Sequence, residues 1–251
     1  TTDPQRFPSG LVPLVQKLRG MSLDVGLWLA PFLVDEKAAL AKEHPDWFVR
    51  GEDGKPLLHA QFGWPRTCLV LDATHPAVVE HLRGLFGRLA AAGLSLFKLD
   101  FLYAGALPGR RHEAVTGLEA LHRGLAVMRA AAPGTHLNLC GMPILPAVGR
   151  GHSLRTGPDI AFSLLAQPSF VQVAHEARNV MLRTWLDPLI RSDPDQVLVR
   201  APLTIDEARV AATLAALTGF YTSGDDLLAL DAPRLQILLK PELLSLARRG
   251  R

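Results

Sequence analysis

The sequence predicts an α/β fold, a (β/α) barrel, formed by a single domain over residues 1–251. Short apolar runs alternate with amphipathic helical segments along the chain, which favours parallel strands covered by helices on both faces. The chain has 251 residues, of which 48% are hydrophobic, so it can bury a large core. Barrels of about 250 residues form one domain, and no linker or low-complexity segment divides this chain.

The alternation assigns each part of the chain to a strand, a helix or a connection. Thr74 is the predicted N-cap of its helix, since its hydroxyl can accept from free backbone N–H groups, and Pro76 fits the first turn. A long irregular excursion with a short helix near 37–42 occupies 31–64. Strands are expected at 23–29, 67–71, 94–100, 136–140, 154–155, 197–200 and 219–222, and helices at 74–92, 113–132, 172–185, 205–217 and 233–247.

Charge and hydropathy exclude several classes of partner. Lysine and arginine total 27 against 24 acidic residues, a net charge of +3. The bases are scattered, and the densest clusters, Arg110-Arg111 and Arg248-Arg249, lack the interleaved aromatic residues of a nucleic-acid site. No apolar run reaches the roughly 18 residues of a membrane span. We therefore expect no nucleic-acid partner and no membrane partner.

Cysteine and histidine spacings favour a cytoplasmic protein without cofactors. Cys68 and Cys140 are too few for a disulfide framework, which fits a reducing compartment, and no signal peptide is recognisable. The nine histidines include no His-x-His or His-Glu-x-x-His spacing. The glycines form no Gly-x-Gly-x-x-Gly loop. We expect no metal and no cofactor.

The segment from Leu94 to Gly109 carries the strongest sign of chemistry. A short apolar run ends in Lys98-Leu99-Asp100 and then breaks into a loop rich in glycine and proline, as a buried parallel strand does at a pocket mouth. Residues two apart on a strand point the same way. Lys98 should therefore lie beside Asp100 and favour the ionised acid that a nucleophile requires. A structural ion pair at a strand end is the alternative.

Further short motifs extend from the first residues of the chain nearly to its last. They are Phe7-Pro8-Ser9-Gly10, Gly26-Leu27-Trp28-Leu29-Ala30-Pro31, His44-Pro45-Asp46-Trp47, Leu71-Asp72, the run from Cys140 to Gly149, Arg155-Thr156-Gly157-Pro158-Asp159, Asp193-Pro194-Asp195 and Asp225-Asp226-Leu227. Together with Lys98-Leu99-Asp100 they resemble, in the same order, the bacterial retaining α-galactosidases of glycoside hydrolase family 36, the melibiase type found in thermophilic bacteria. The shared order makes the signal specific.

The resemblance implies a barrel that the chain covers in part. Thr1 aligns just after the second barrel strand, so strands three to eight of a (β/α)8 TIM barrel are expected here. The β-sandwich domains that flank the barrel in the family are not expected in this chain. The family also carries an acidic pair at the end of strand two, upstream of Thr1, which selects galactose over glucose.

The resemblance also implies the two catalytic carboxylates. Asp100 matches the nucleophile that forms a covalent glycosyl-enzyme. Asp159 matches the general acid and base that protonates the leaving oxygen and then activates water. The two roles require carboxyl groups of different acidity. Retention predicts carboxyl groups about 5 to 5.5 Å apart, whereas about 6.5 to 9.5 Å would indicate inversion.

Five further positions are expected to bind the substrate, and three of them, Arg155, Trp28 and Cys140, match positions of the family's sugar pocket and have a plainer interpretation as well. Lys98 and Arg155 are expected to contact the substrate, Arg155 at the sugar's 2-hydroxyl, although a surface arginine is possible there. Trp28 matches a pocket tryptophan or is a core residue, and Cys140 matches a pocket-lining cysteine or is an inert buried thiol. Trp64 could line the leaving-group side. Asp72 is expected at a helix entry, and Asp193, Asp195, Asp225 and Asp226 are expected to support the site.

Three functions therefore remain open. The first is hydrolysis of terminal α-D-galactosyl residues from an α-galactoside oligosaccharide such as melibiose or a raffinose-type sugar. The second is another α-glycosidase or transglycosylase of the same clan, and the third is an inactive truncated barrel that at most binds sugar. The family also suggests a homo-oligomer.

Overall fold

The computed structural model describes residues 3–60, 67–161 and 167–249. The chain forms two compact units, Thr1–His152 and Ser153–Arg251. The prediction of one continuous catalytic domain over 1–251 stays a prediction.

The first unit contains two small sheets with helices around them. Its strands are β1 Gly26–Leu29, β2 Leu33–Asp35, β3 Leu58–Ala60, β4 Thr67–Val70, β5 Leu96–Leu99 and β6 His136–Leu139. Its helices are α1 Leu11–Gly20, α2 Ala39–Glu43, α3 Pro76–Ala91, α4 Gly117–Ala131 and α5 Ile144–Ala147, with a 3-10 turn at Leu102–Ala106.

Strands β1, β5 and β6 pair in parallel with β5 in the middle. The alternation along β5 buries Phe97 and Leu99 completely, and Leu137 and Leu139 on β6 are equally buried. The ring of Phe86 on α3 meets Phe97 edge-on, with centroids 5.1 Å apart. The strands predicted at 23–29, 94–100 and 136–140 are confirmed in shorter form, with the parallel pairing expected of a βα repeat.

The strand predicted at 67–71 belongs to a different sheet. β4 does not join β1, β5 and β6 but forms the centre of a three-stranded antiparallel sheet with β2 and β3. Both partners come from the excursion that the sequence analysis treated as irregular with one short helix. Local patterning indicates a strand but not its partner, since pairing depends on residues far along the chain.

The N-cap of helix α3 lies one residue later than predicted. The N-cap is His75, whose Nδ1 accepts from the backbone N–H of Ala77 at 3.2 Å. Thr74, the predicted N-cap, instead donates its hydroxyl to Asp72 at 2.7 Å. The carboxylate of Asp72 also accepts from the backbone N–H groups of Thr74 and His112, at 2.9 and 2.6 Å, so Asp72 orders the helix entry as expected.

The second unit is mostly helical. Its strands are β7 Ser153–Arg155 and β8 Arg191–Asp193, and its helices are α6 Phe170–Leu182, α7 Ile205–Thr218, α8 Ala232–Leu238 and α9 Pro241–Arg249, with a 3-10 turn at Thr184–Leu186. β7 and β8 pair in parallel, with Arg155 opposite Asp193. The predicted helix at 233–247 is interrupted before Pro241, which has no backbone N–H to continue it.

The predicted strands at 197–200 and 219–222 are wrong as regular strands. The first stretch makes one isolated parallel bridge, from Val197 to Ser223, which follows the second stretch directly. The carboxylate of Asp225 accepts from the backbone N–H of Val199 at 2.7 Å and from the guanidinium of Arg200 at 2.7 Å. A side chain therefore occupies the donor that a neighbouring strand would use.

Helix α7 anchors the core of the second unit. Its alanines, among them Ala208, Ala212 and Ala215, pack on Val197 and Val199. A capping box between Thr204 and Glu207 starts the helix, and Gly219 ends it in the left-handed conformation at φ 72°. Among the residues that the structure describes, no helix combines the length and the hydropathy needed to cross a membrane.

Candidate active site

The register of the parallel strands aligns three polar side chains near their carboxyl ends. Trp28 on β1 is opposite Lys98 on β5, and Lys98 is opposite Asn138 on β6. Opposite residues of paired strands share a face of the sheet. Active sites of (β/α) barrels lie beyond the carboxyl ends of their strands. This row is therefore the first layer of a candidate site, and it adds Asn138, which the sequence analysis missed.

Asp100 follows β5 directly and is held by two donors. Its carboxylate accepts from Trp28 Nε1 at 3.0 Å on one oxygen and from the backbone N–H of Phe101 at 2.7 Å on the other. Its own N–H donates to the carbonyl of Leu29 at 2.8 Å, which continues the pairing with β1. The carboxylate is thus fixed in orientation, as a nucleophile must be before attack.

The turn after Asp100 is tied to the turn after β6. Phe101 adopts the left-handed conformation at φ 51°, and its ring meets Trp28 edge-on with centroids 6.1 Å apart. The backbone N–H groups of Leu102 and Tyr103 donate to the carbonyls of Cys140 and Gly141, at 3.2 and 2.7 Å. The loops that carry Asp100 and Cys140 therefore form one hydrogen-bonded structure.

Tyr103 is a second residue that the sequence analysis missed. Burial and then the negative charge of Asp100 raise the pKa of its phenol, which indicates that Tyr103 lies near that carboxylate. Its hydroxyl is 2.9 Å from Nε2 of His59 on β3. The position of Tyr103, three residues after Asp100, was the available sequence signal.

The other predicted pocket residues have varied environments. Trp28 is 46% exposed, so its ring is available to a ligand and is not a core residue. Cys140 is buried and lies outside any disulfide among the described residues, and its backbone N–H donates to Leu99 at 2.8 Å. Lys98 is half-buried. Trp64 lies outside the described residues. Sugar contacts by these four side chains stay predictions.

Arg155 is the centre of an ion-pair network in the second unit. Its side chain is 2% exposed, and its two terminal nitrogens reach Asp159 at 2.9 Å and Asp195 at 3.0 Å. Asp159 is exposed on 58% of its side chain, whereas Asp195 is buried. Arg155 therefore holds the predicted acid/base residue from the buried side and leaves that carboxylate open to solvent. Its predicted contact with a sugar hydroxyl stays a prediction.

Asp195 links that network to the backbone. Its second oxygen accepts from the backbone N–H of Ile160 at 2.9 Å. Its own N–H donates to the carboxylate of Asp193 at 2.8 Å, and it holds the left-handed conformation at φ 75°. Both ends of the segment from Arg155 to Ile160 are thus fixed to Asp195, while support of an active site by the Asp-Pro-Asp motif stays a prediction.

Glu176 on α6 is a buried carboxyl that the sequence analysis did not select. It has no exposed surface and accepts from the hydroxyl of Thr156 at 2.8 Å and from the amide of Asn179 at 3.4 Å. Burial raises its pKa to about 7, against the smaller opposing effects of those hydrogen bonds and of Arg155. The network therefore contains a group that titrates near neutrality.

The chain resembles known glycosidases in sequence and structure. A family model described as Melibiase matches residues 1–105. Alpha-galactosidase 2 of Pediococcus pentosaceus is 36% identical over 80 residues, which are 32% of this chain and 10% of that protein. TtGalA, an alpha-galactosidase from Thermus thermophilus solved in complex with stachyose, is 34% identical with a TM-score of 0.80, over 94% of this chain and 53% of its own.

Two more solved structures extend the comparison. The same Thermus protein in complex with p-nitrophenyl alpha-D-galactopyranoside gives a TM-score of 0.81 over 98% of this chain and 51% of its own. A family 27 β-L-arabinopyranosidase from Geobacillus stearothermophilus has a TM-score of 0.76 at 15% identity, over 98% of this chain and 60% of its own, which shows the fold alone.

The comparisons show similarity to melibiase and alpha-galactosidase proteins and confirm the predicted fold class. The chain is an α/β protein with parallel strands that match those of TIM-barrel glycosidases, and it spans about half the length of the Thermus enzyme.

Proposed function

We propose that this chain carries the catalytic residues of a bacterial retaining α-galactosidase of glycoside hydrolase family 36, which releases terminal α-D-galactosyl residues from oligosaccharides. The observation that supports this most is the oriented carboxylate of Asp100, held by Trp28 and Phe101 beyond the end of β5. The complexes of the Thermus relative with stachyose and with an aryl α-galactoside support the choice of substrate class.

The proposed reaction has two displacements. In the first, a carboxylate oxygen of Asp100 bonds to the anomeric carbon while the bond to the leaving oxygen breaks, and Asp159 gives that oxygen its proton. In the second, Asp159 takes a proton from water, and the water oxygen bonds to the anomeric carbon and releases Asp100. The retaining course predicts about 5 to 5.5 Å between the two carboxyl groups in the reacting enzyme.

Three side chains would assist these steps. The half-exposed indole of Trp28 would cover the apolar face of the sugar, while its N–H keeps the nucleophile oriented. Tyr103 lies close enough to Asp100 for that charge to raise its pKa, so its hydroxyl could bind the sugar near the nucleophile. Arg155 would hold Asp159 during both proton transfers.

The same proposal includes a cytoplasmic location and self-association. Cys68 and Cys140 are both buried, and neither forms a disulfide among the described residues, which fits a reducing compartment. Sedimentation at several protein concentrations tests whether the chain self-associates.

Hydrolysis of an aryl α-D-galactoside tests the function. We compare the unchanged chain, Asp100→Ala, and Asp100→Ala with added azide, with Asp24→Ala as a matched control because that carboxylate is 88% exposed. We expect activity to vanish in Asp100→Ala and to return with azide as a galactosyl azide, while Asp24→Ala stays active. Preference for an α-glucoside would indicate another clan glycosidase. A folded but inert chain would contradict catalysis by this chain.

A further inference from the structure

The acid/base segment lies against a carboxyl group inside the second unit. Thr156 and Gly157 separate Arg155 from Pro158-Asp159, and both face Glu176 on α6. A β-carbon built on Gly157 would overlap Oε2 of Glu176 and lie 2.7 Å from the amide nitrogen of Asn179. The segment therefore approaches the carboxyl as closely as a backbone without a side chain allows.

The hydroxyl of Thr156 lies between two acceptors. It is 2.8 Å from Oε1 of Glu176 and 3.1 Å from the carbonyl oxygen of Asp193. A hydroxyl has one proton to donate, and its oxygen can accept another. With Glu176 ionised, the Thr156 hydroxyl can donate to only one of these oxygens at a time, while the backbone N–H of Thr156 donates to the Asp193 carbonyl at 3.0 Å. With Glu176 protonated, the carboxyl donates to Thr156 and Thr156 donates to Asp193, so that each contact becomes a hydrogen bond.

We infer that Glu176 is a positioning residue for Asp159: its protonated carboxyl completes the chain Glu176–Thr156–Asp193 and so fixes the segment that carries Arg155 and Asp159. The functional meaning of this inference rests on the proposed acid/base role of Asp159. Glu176 itself touches Thr156 and Asn179 among the described residues, so it acts through the backbone rather than on a substrate.

The surrounding charges agree with a proton on Glu176 near neutral pH. Arg155 on β7 favours the ionised carboxyl and Asp195, beyond β8, disfavours it, while the largest effect is burial. Arg183, at the end of α6, donates to the carbonyl of Thr156 at 2.6 Å and so fixes the same residue from the other side. The pKa of about 7 predicts that the chain of hydrogen bonds is complete in mild acid and is interrupted in mild base.

Glu176→Gln provides the test, because its amide can donate to Thr156 at any pH and cannot ionise. We follow the protonated carboxyl by the infrared carbonyl band and the segment 155–160 by amide hydrogen exchange, each compared with Glu176→Gln at the same pH. In the unchanged chain we expect a carbonyl band that disappears as pH rises through about 7. Glu176→Gln should lack this band at every pH. Exchange in 155–160 should rise several-fold above that pH in the unchanged chain alone.

Activity gives a second readout. The alkaline limb of the kcat/KM profile should move to higher pH in Glu176→Gln, while kcat at about pH 6 changes less than twofold. Glu176→Ala should lose activity at every pH, since it has no donor. Absence of titration near 7, or identical exchange in the two proteins at all pH values, would overturn the positioning role. If the unchanged chain had no glycosidase activity, the proposed function would be contradicted. The amide hydrogen exchange of residues 155–160 would still decide whether Glu176 fixes that segment.

Discussion

Replacing Trp28 with phenylalanine removes one of the two donors that hold Asp100 among the residues the structure describes. The indole N–H donates to the carboxylate at 3.0 Å, and the backbone N–H of Phe101 remains at 2.7 Å. A hydrogen bond to a charged group contributes roughly 1.5–3 kcal/mol. Because Trp28 is 46% exposed, water can replace part of that contact, and we expect about 1–2 kcal/mol. This corresponds to a roughly 5- to 30-fold loss in kcat/KM.

The assay separates orientation of the nucleophile from stacking on the sugar. Phenylalanine keeps an aromatic face, so a loss carried by kcat, with KM nearly unchanged, indicates that the missing N–H matters. Trp185→Phe is the matched control, since Trp185 is 55% exposed in the second unit and should retain full activity. An unchanged kcat for Trp28→Phe, or an equal loss for Trp185→Phe, would refute the reasoning.

Three further predictions concern the buried network. Folding raises the pKa of Glu176 from 4.5 to about 7, so the protonated carboxyl favours the folded state. Its contribution to the free energy of unfolding is complete below about pH 4.5 and is lost as pH rises through 7. Urea unfolding should therefore show a loss of about 3 kcal/mol relative to Glu176→Gln over that range, and parallel pH curves would contradict this. Gly157→Ala should destabilise the folded chain by about 1–3 kcal/mol, because its β-carbon would overlap Glu176. The control Gly20→Ala has open space around its β-carbon and should change the stability by no more than about 1 kcal/mol. Thermal unfolding of both variants tests this difference. Arg155→Lys cannot bridge two carboxylates in a planar fork and should cost about 3 kcal/mol or more because buried charge is left uncompensated. Arg209→Lys, in an exposed pair, should stay within about 0.5 kcal/mol, and equal melting temperatures for the two lysine variants would argue against the network.

The sequence was sufficient for features that depend on local pattern. The apolar run before Asp100 and the long amphipathic segments lie close to the observed β5, α4 and α7, because burial of one face imposes a period on nearby residues. Asp100 follows its strand as predicted for the same reason.

Features that depend on distant partners were missed. The side-chain donor Trp28 lies 72 residues before Asp100, and register between strands cannot be recognised within either strand alone. Glu176 has the sequence context of a helix-surface residue, since glutamate is rarely buried. Its burial follows from the packing of α6 on Thr156 and Gly157, which no spacing within α6 indicates.

In the second unit, the pattern of apolar and polar residues predicted some of the strands incorrectly. The apolar run at 197–200 predicts a strand, but Asp225 takes the N–H of Val199. The polar sequence Arg191–Asp193, which the analysis did not select as a strand, forms β8, because Ser192 and Asp193 are buried with hydrogen-bonding partners.

The hydrogen bond from the backbone N–H of Val199 to Asp225 also affects how readily the protein aggregates. An extended backbone stretch with open donors is a template onto which a second molecule can add a strand. At Val199 the template is interrupted by a carboxylate that has no exposed side-chain surface and is also paired with Arg200. An incoming strand would have to displace a charged hydrogen bond to gain a neutral one, an exchange that is unfavourable. Asp225 thus makes this stretch a poor starting point for intermolecular β-sheet growth.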